Sequence, residues 1–149
     1  MPMDALDKTI INSLQGGFPV SETPFNDVAT GLGIDESTLI SRLEKLLADN
    51  ILTRFGPMYD IQKLGGAFSL CAIRVPEERF EEVSDLVNSF DEVAHNYQRD
   101  HEFNMWYVLA TETPEQITQI NQMIEVQTHL KVYNMPKIQE FFVELKLMA

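Results

Sequence analysis

The sequence predicts an α+β protein with two domains: a helical N-terminal domain over residues 1–60 and an α/β domain over residues 61–149. Three observations support this prediction. Apolar residues recur at helical spacing throughout the first third of the chain. Strand-like and helix-like stretches alternate in the remainder. A chain of 149 residues with 44% apolar content can bury a core and is long enough for two small domains.

Three helices are predicted in the first domain. Residues 4–15 carry one apolar face, and a pair of glycines ends this stretch. Two further stretches follow at 24–33 and 35–50, with Gly31 and Gly33 marking their tight connection and Asp35 as the N-cap of the last helix. The predicted inward-facing residues are Leu6, Ile10, Ile11, Leu14, Val28, Leu32, Leu39, Ile40, Leu43, Leu46 and Leu47.

Two helices joined by a glycine-containing turn form a helix-turn-helix pattern. The segment after the third helix, residues 51–60, alternates at first and then contains Gly56 and Pro57. This pattern predicts a short strand and a turn, which would make the domain a winged helix-turn-helix.

The third predicted helix is a poor match to a DNA-reading helix. Between residues 35 and 50, two basic residues stand against four acidic ones, and the N-terminal half reads DESTLISR. Helices that read the major groove present Arg, Lys, Asn or Gln there. We therefore interpret the winged helix as a packing or dimerisation element rather than a sequence-specific DNA reader.

The second domain carries the pattern strand, helix, strand, strand, helix, strand, which is the ferredoxin-like βαββαβ order. The predicted strands are AFSLCAIRV, DEVAHNYQRD, NMWYVLATET and HLKVYNM, and the predicted helices are EERFEEVSDLVNSF and EQITQINQMIEV. A terminal helix, KIQEFFVELKLM, is predicted to pack through Phe141, Phe142, Leu145 and Leu147. Two helices cover only one face of such a sheet, so we expect another subunit on the other.

Composition restricts the function classes further. The net charge of −12 repels polyanions, so nucleic-acid binding would require a concentrated basic patch. No stretch is long and apolar enough to span a membrane, and the N-terminus lacks the pattern of a secretory signal, so we expect a cytoplasmic protein. The single cysteine, Cys71, lies in an apolar strand and is expected to be buried and unreactive.

The stretch His95–Tyr107, HNYQRDHEFNMWY, is unusual because it contains two of the three histidines and the only tryptophan. A period of two along the strand places Val93, His95, Tyr97 and Arg99 on one face. These side chains suit an anionic aromatic ligand: Arg99 can pair with carboxylates, and His95 or His101 can transfer a proton or ligate iron. The alternatives are a solvated strand face and, for Met105, Trp106 and Tyr107, an ordinary core.

These residues also carry a resemblance to a known family. The two-domain pattern resembles the Lrp/AsnC group of regulators over nearly the whole chain. Within that group, HNYQRDHEFNMWY and the upstream TRFGPMYDIQKLG resemble the siroheme decarboxylase subunits of heme d1 and alternative heme biosynthesis.

The resemblance implies an enzyme, a carbon–carbon lyase that removes CO₂ from two acetate side chains of siroheme and gives didecarboxysiroheme. No cofactor or metal of its own is then expected, because the macrocycle of the substrate accepts the electrons. Arg99, Tyr97, Arg54 and Lys63 are the predicted substrate-binding residues. His95 and His101 are the predicted catalytic acids, and either is also a candidate axial ligand to the substrate iron. His129 is interpreted as structural.

Two other readings remain open on sequence alone. The chain could be a DNA-binding regulator of the Lrp/AsnC type that responds to a small molecule. It could also be a non-catalytic subunit that only completes a partner's active site. The expected partners are siroheme and a related or identical subunit, and no membrane.

Overall fold

The computed structural model describes residues 3–149, so the first two residues of the predicted N-terminal domain lie outside it. The chain divides into two compact units, which are described separately. The helical unit runs to Pro57 and also contains the last segment, Phe142–Ala149. The α/β unit comprises Met58–Phe141. The last segment, which the sequence predicts as part of the second domain, thus belongs to the helical unit.

The helical unit contains α1 (Ala5–Leu14), α2 (Pro24–Leu32) and α3 (Glu36–Ala48). Their apolar faces meet in one core built around Ile10, Ala29, Leu39 and Leu43. Gly33 ends α2 in the left-handed conformation at φ 70°, as its predicted position implied, whereas Gly31 lies inside the helix. Asp35 is the N-cap of α3, although its carboxylate accepts from the Thr38 hydroxyl rather than from a backbone N–H.

The start of α1 is tied to α3 by a group of charges. Asp4 and Asp7 form a capping box, in which each carboxylate accepts the other residue's backbone N–H. The Arg42 guanidinium pairs with Asp4 at 2.5 Å and with the buried Asp7 at 3.1 Å. The hydrogen bond from the Asp7 N–H, together with Arg42, lowers the pKa of the Asp4 carboxyl. The ionised form of Asp4 therefore stabilises the folded helical unit.

Asp4→Asn is expected to lower the midpoint of thermal unfolding at neutral pH. Because the pKa of Asp4 is lowered on folding, this stabilisation is fully present above the carboxyl's usual pKa and is lost as pH falls through the lowered value. The difference in unfolding midpoint between Asp4→Asn and the parent should consequently become smaller below about pH 4. Circular dichroism at a series of pH values measures it, with Glu22→Gln, at an exposed position outside the helices, as the control. A pH-independent difference would contradict this account.

Two predicted elements are wrong. Residues 51–60 contain no strand, so the wing of the winged helix is not formed, and the segment is a series of bends and irregular backbone. Residues 137–149 contain no helix. The end of the chain is instead irregular, and its backbone is held by amide side chains in and directly after α1: Gln15 hydrogen-bonds both backbone groups of Leu147, and Asn12 accepts the Ala149 N–H. Its side chains, including Leu145 and Leu147, are largely exposed.

The α/β unit has the predicted element order. It contains β1 (Ala67–Ile73), α4 (Phe80–Asn88), β2 (Val93–Gln98), β3 (Met105–Thr111), α5 (Pro114–Thr128) and β4 (Val132–Pro136), with a short 3₁₀ turn, Glu77–Arg79, before α4. The four strands form one antiparallel sheet in the order β2-β3-β1-β4. His129 ends α5 at φ 57°, which agrees with its interpretation as structural.

The core of this unit lies between the sheet and its two helices. Alternate residues of β1 and β3 point into it, among them Cys71, Ile73, Met105, Tyr107 and Leu109, and they pack against Val83, Val87, Ile117, Ile120 and Ile124 of the helices. Cys71 is fully buried, as predicted, and burial raises the pKa of its thiol. It is therefore a poor nucleophile. Met105 and Tyr107 are core residues, whereas Trp106 points to the other face.

The core contains one buried chain of hydrogen bonds. The Tyr107 hydroxyl donates to the Asn121 side-chain oxygen at 2.8 Å, and the Asn121 amide donates to the Cys71 sulfur at 3.4 Å. Burial also raises the pKa of the Tyr107 hydroxyl, which keeps it protonated as a donor. This chain fixes α5 against β1 and β3.

Tyr107→Phe is expected to destabilise the α/β unit by about 1–3 kcal/mol, because it leaves the buried Asn121 oxygen without its donor. Urea unfolding followed by the fluorescence of Trp106, the only tryptophan and a residue of the same unit, measures the change. Tyr59→Phe, which removes a hydroxyl from a side chain that is 72% exposed, is the matched control. Equal stability of the two variants would contradict the prediction.

Candidate functional site

The sheet has one face that neither helix covers. The strand alternation places Phe68, Leu70, Ala72, His95, Tyr97, Trp106, Val108, Ala110, Tyr133 and Met135 on this open face. Several of its large side chains are exposed, including Tyr97 at 51% and Phe68 and Tyr133 at 39% each. An exposed apolar area of this kind indicates a binding surface.

A β-bulge determines which β2 side chains reach the open face. Val93 lies opposite Leu109 and His95 opposite Val108, so one extra residue stands between the two pairs. Val93 therefore packs against the core, whereas His95 and Tyr97 point away from it. The prediction that Val93 shares a face with His95 and Tyr97 is wrong for this reason. Asn96 points to the helices, where its amide donates to the Asn88 side-chain oxygen at 2.9 Å.

Aromatic rings cover one end of the open face. His95 stacks on Tyr97 with ring centroids 5.8 Å apart, and Tyr97 is the register partner of Trp106. His101 lies 6.3 Å from Trp106 and 5.9 Å from Phe103. Phe103 in turn contacts Tyr133 of β4, with centroids 4.7 Å apart. We call Phe103, Trp106 and Tyr133 the aromatic floor.

The turn between β2 and β3 is held by hydrogen bonds from its own side chains. The Asn104 side chain accepts the Val75 N–H and donates to the Val75 carbonyl, both at 2.8 Å, and so ties the turn to the end of β1. Nδ1 of His101 accepts the Phe103 N–H at 3.0 Å. In a neutral imidazole that makes this bond, the proton is on Nε2. His101 thus presents an N–H donor outward.

Three cations lie over rings at this end of the sheet. The Arg99 guanidinium carbon is 4.8 Å from the centroid of Trp106. Arg74 lies 5.9 Å from the centroid of Phe103, and Lys131 lies 4.9 Å from that of Tyr133. Sequence reasoning identified Arg99 and missed the other two, which are far apart in the chain. The signal that could have found them is their position in the strand alternation, directly after β1 and directly before β4.

Of the predicted site residues, His95, Tyr97, Arg99 and His101 thus lie at one end of the open face. Lys63 does not join them: it is an exposed residue paired with Asp60 at 3.8 Å, in a turn that precedes β1 at Ala67, the opposite end of that strand from Ile73. Arg54 is an exposed residue of the helical unit. A role for either in binding the substrate stays a prediction.

Features expected of other site classes are missing from residues 3–149. Within that range, no three or more His, Cys, Asp or Glu side chains are grouped as a metal site, and no helix could cross a membrane. On α3, one of the two basic residues, Arg42, is engaged with Asp4 and Asp7. That helix therefore offers little positive charge to a phosphate backbone.

Comparison with known proteins gives a family match for each part of the chain. The model for the AsnC-like ligand binding domain matches residues 63–142, and that for the siroheme decarboxylase NirDL-like HTH domain matches residues 7–52. The siroheme decarboxylase NirG subunit of Paracoccus pantotrophus is 49% identical over 100% of this chain and 97% of its own. The siroheme decarboxylase NirD subunit of Pseudomonas aeruginosa is 34% identical, with coverage of 96% and 95%.

A solved relative extends the comparison to structure. The crystal structure of the siroheme decarboxylase NirDL in co-complex with an iron-uroporphyrin III analogue is 31% identical, with a TM-score of 0.71. It covers 97% of this chain, which spans 48% of the NirDL chain, or about half its length. Together with the 49% identity to NirG over the full chain, these matches lead to one conclusion. The chain belongs to the family of siroheme decarboxylase subunits, and its second domain is AsnC-like.

Proposed function

We propose that this chain is a working subunit of a siroheme decarboxylase, and that the open face of its sheet binds siroheme. The observation that carries the proposal is the grouping of His95, Tyr97, Arg99 and His101 beside the aromatic floor. A large apolar macrocycle packs favourably against a group of aromatic side chains. Arg99 supplies the planar pair of donors that carboxylates prefer. The related NirDL was solved with an iron-uroporphyrin III analogue, which supports a tetrapyrrole as the ligand class.

The reaction requires little chemistry from the protein. The bond between the acetate methylene and its carboxylate breaks, CO₂ leaves, and the electron pair is delocalised into the macrocycle. A proton then adds to the methylene carbon and gives a methyl group. The chain must therefore hold the carboxylates, exclude water from the reacting carbon, and deliver one proton for each CO₂ released.

The two histidines are proposed to divide this work. His101, whose Nδ1 is engaged by the Phe103 N–H, presents its Nε2–H as a donor to a substrate carboxylate. In this state it has no free lone pair on Nε2 for iron. His95 stacks on Tyr97, and its ring nitrogens make no hydrogen bond within residues 3–149. His95 is therefore the better candidate for the general acid, and Tyr97 for a second carboxylate donor.

The active form is proposed to contain a second subunit. The open face is largely apolar and several of its large side chains are exposed, and a tetrapyrrole on it would still have one side in water. NirG and NirD relatives are named as subunits, and the NirDL chain is about twice the length of this one. Two chains of this type facing each other would enclose the substrate.

The test is anaerobic incubation with siroheme of the purified chain, alone and with a related subunit encoded beside it. The tetrapyrrole is followed by mass. We expect loss of two CO₂ units in the sample that contains the complete assembly. No loss in either sample, with no spectral change on addition of siroheme, would overturn the proposal. If siroheme loses two CO₂ units only in the sample that contains the partner subunit, the assembly is required for activity.

A further inference from the structure

We infer that Arg74 and Lys131 bind carboxylates of the tetrapyrrole beside Arg99, and that the three together select a macrocycle with acidic groups around its whole edge. The inference rests on the proposed function and adds two binding residues and a basis for substrate selection. Neither residue belongs to the stretch His95–Tyr107 that drew attention in the sequence.

The topology brings the three cations to one end of the sheet. Arg74 directly follows β1, Lys131 directly precedes β4, and the adjoining residues Ile73 and Val132 are register partners. Arg99 directly follows β2, whose last residue, Gln98, pairs with Met105. Met105 also pairs with Ile73. One row across the four strands therefore carries the three cations at its edge.

The rings hold these cations at the border of the aromatic floor. Each cation lies within 6 Å of the centroid of one ring: Arg74 over Phe103, Arg99 over Trp106 and Lys131 over Tyr133. Phe103 contacts both of the other rings, at 4.7 Å and 6.5 Å between centroids. The ring planes are inclined to one another, by 88° between Phe103 and Trp106 and by 58° between Phe103 and Tyr133, so a macrocycle would rest against ring edges as well as faces, with its peripheral carboxylates near the three cations.

The structure already contains a carboxylate at one of these positions. Arg74 is ion-paired with Glu102, a residue of the same turn as His101. Both side chains of this pair are more than half exposed, at 61% and 58%. A substrate carboxylate can therefore replace Glu102 with little loss of buried contact. For Arg99 and Lys131, no acidic partner lies within ion-pair distance among residues 3–149.

The three cations stand out against the negative charge of the whole chain. The protein carries 23 acidic and 11 basic residues, so a site for a polyanion requires cations concentrated in one place. Three of those basic residues lie at this one end of the sheet. The cations thus provide attraction for a polycarboxylate that the protein as a whole would repel.

The test uses the full chain assembled with its partner subunit under anaerobic conditions. Iron uroporphyrin III, with carboxylates around the whole ring, and iron protoporphyrin IX, with carboxylates on one side only, are each titrated and followed by absorbance. The variants are Arg74→Gln and Lys131→Gln. Lys137→Gln is the matched control, because Lys137 directly follows β4 and Lys131 directly precedes it. Circular dichroism confirms that each variant is folded.

We expect each of the first two variants to raise the Kd for iron uroporphyrin III roughly tenfold and that for iron protoporphyrin IX much less. With siroheme, KM should rise while kcat stays close to that of the parent, since these contacts bind substrate and transition state alike. Glu102→Gln should lower the Kd for iron uroporphyrin III, because it removes the carboxylate that competes for Arg74. Lys137→Gln should match the parent.

Three results would overturn the inference. The first is that the parent decarboxylates siroheme, but Arg74→Gln and Lys131→Gln have the same Kd for iron uroporphyrin III as Lys137→Gln. The two residues then do not bind its carboxylates, although the proposed function stands. The same holds if both porphyrins are weakened equally. If the parent neither binds a tetrapyrrole nor releases CO₂, the proposed function fails as well.

Discussion

Replacing His95 by glutamine is expected to slow the release of CO₂ from siroheme by at least about a hundredfold, the lower end of what a general acid contributes. His101→Gln is expected to lower turnover and also to raise KM, because the proposed Nε2–H bond to a carboxylate is lost. Both side chains are exposed and lie outside the core, so the fold should persist.

The third histidine provides the control for this experiment. His129 ends α5 in the left-handed conformation, which asparagine also adopts readily, so His129→Asn should leave turnover unchanged. Absorbance spectra with siroheme show whether each variant still binds the substrate. Parental rates for both His95→Gln and His101→Gln, in an active assembly, would show that this chain only completes the site of its partner.

Gly66→Ala is expected to destabilise the α/β unit by about 1–3 kcal/mol, the usual range for an overpacked site. A Cβ at this position would lie 2.1 Å from the Thr111 carbonyl oxygen and 2.7 Å from Cγ1 of Ile61. The Gly66 N–H also donates to the Ile61 carbonyl at 2.9 Å. Because the closest atom belongs to the backbone of β3, the strand itself must move.

Urea unfolding followed by Trp106 fluorescence measures this effect, since Trp106 lies on the same strand as Thr111. Gly56→Ala, in the helical unit, controls for a glycine-to-alanine change without a steric clash, because a Cβ there meets no atom within 4 Å. We expect the control to change stability by less than about 0.5 kcal/mol. Similar unfolding curves for the two variants would show that the turn before β1 adapts without strain.

Much of the fold could be predicted because its elements have clear periodicity. The strand β3 alternates strictly between buried and half-exposed residues, β1 is apolar and mostly buried, and α1, α3 and α4 each present one apolar face. The C-terminal helix was wrong for a physical reason. Phe142–Ala149 is a short apolar run in which Val143, Leu145 and Leu147 also alternate, so its pattern does not separate a helix from extended chain.

The candidate site could be predicted only where its residues are close in sequence. His95, Arg99 and His101 were recognisable within one short stretch of unusual composition. Arg74, Lys131 and Tyr133 are brought beside that stretch by the strand order, in which β4 pairs with β1. The bulge between Val93 and His95 was also beyond prediction, because Ala94 carries no side-chain signal for an extra residue.

The bulge determines how the orientation of His95 responds to the removal of one residue from β2. Removing Ala94 alone would change one residue in 149 and restore a regular ladder, in which Val93 still lies opposite Leu109 and faces the core while His95 still lies opposite Val108 and faces the open side. A substitution at Ala94 would keep the extra residue and with it the bulge. A homologue that lacks the residue between its core valine and its histidine would therefore still present that histidine on the open face.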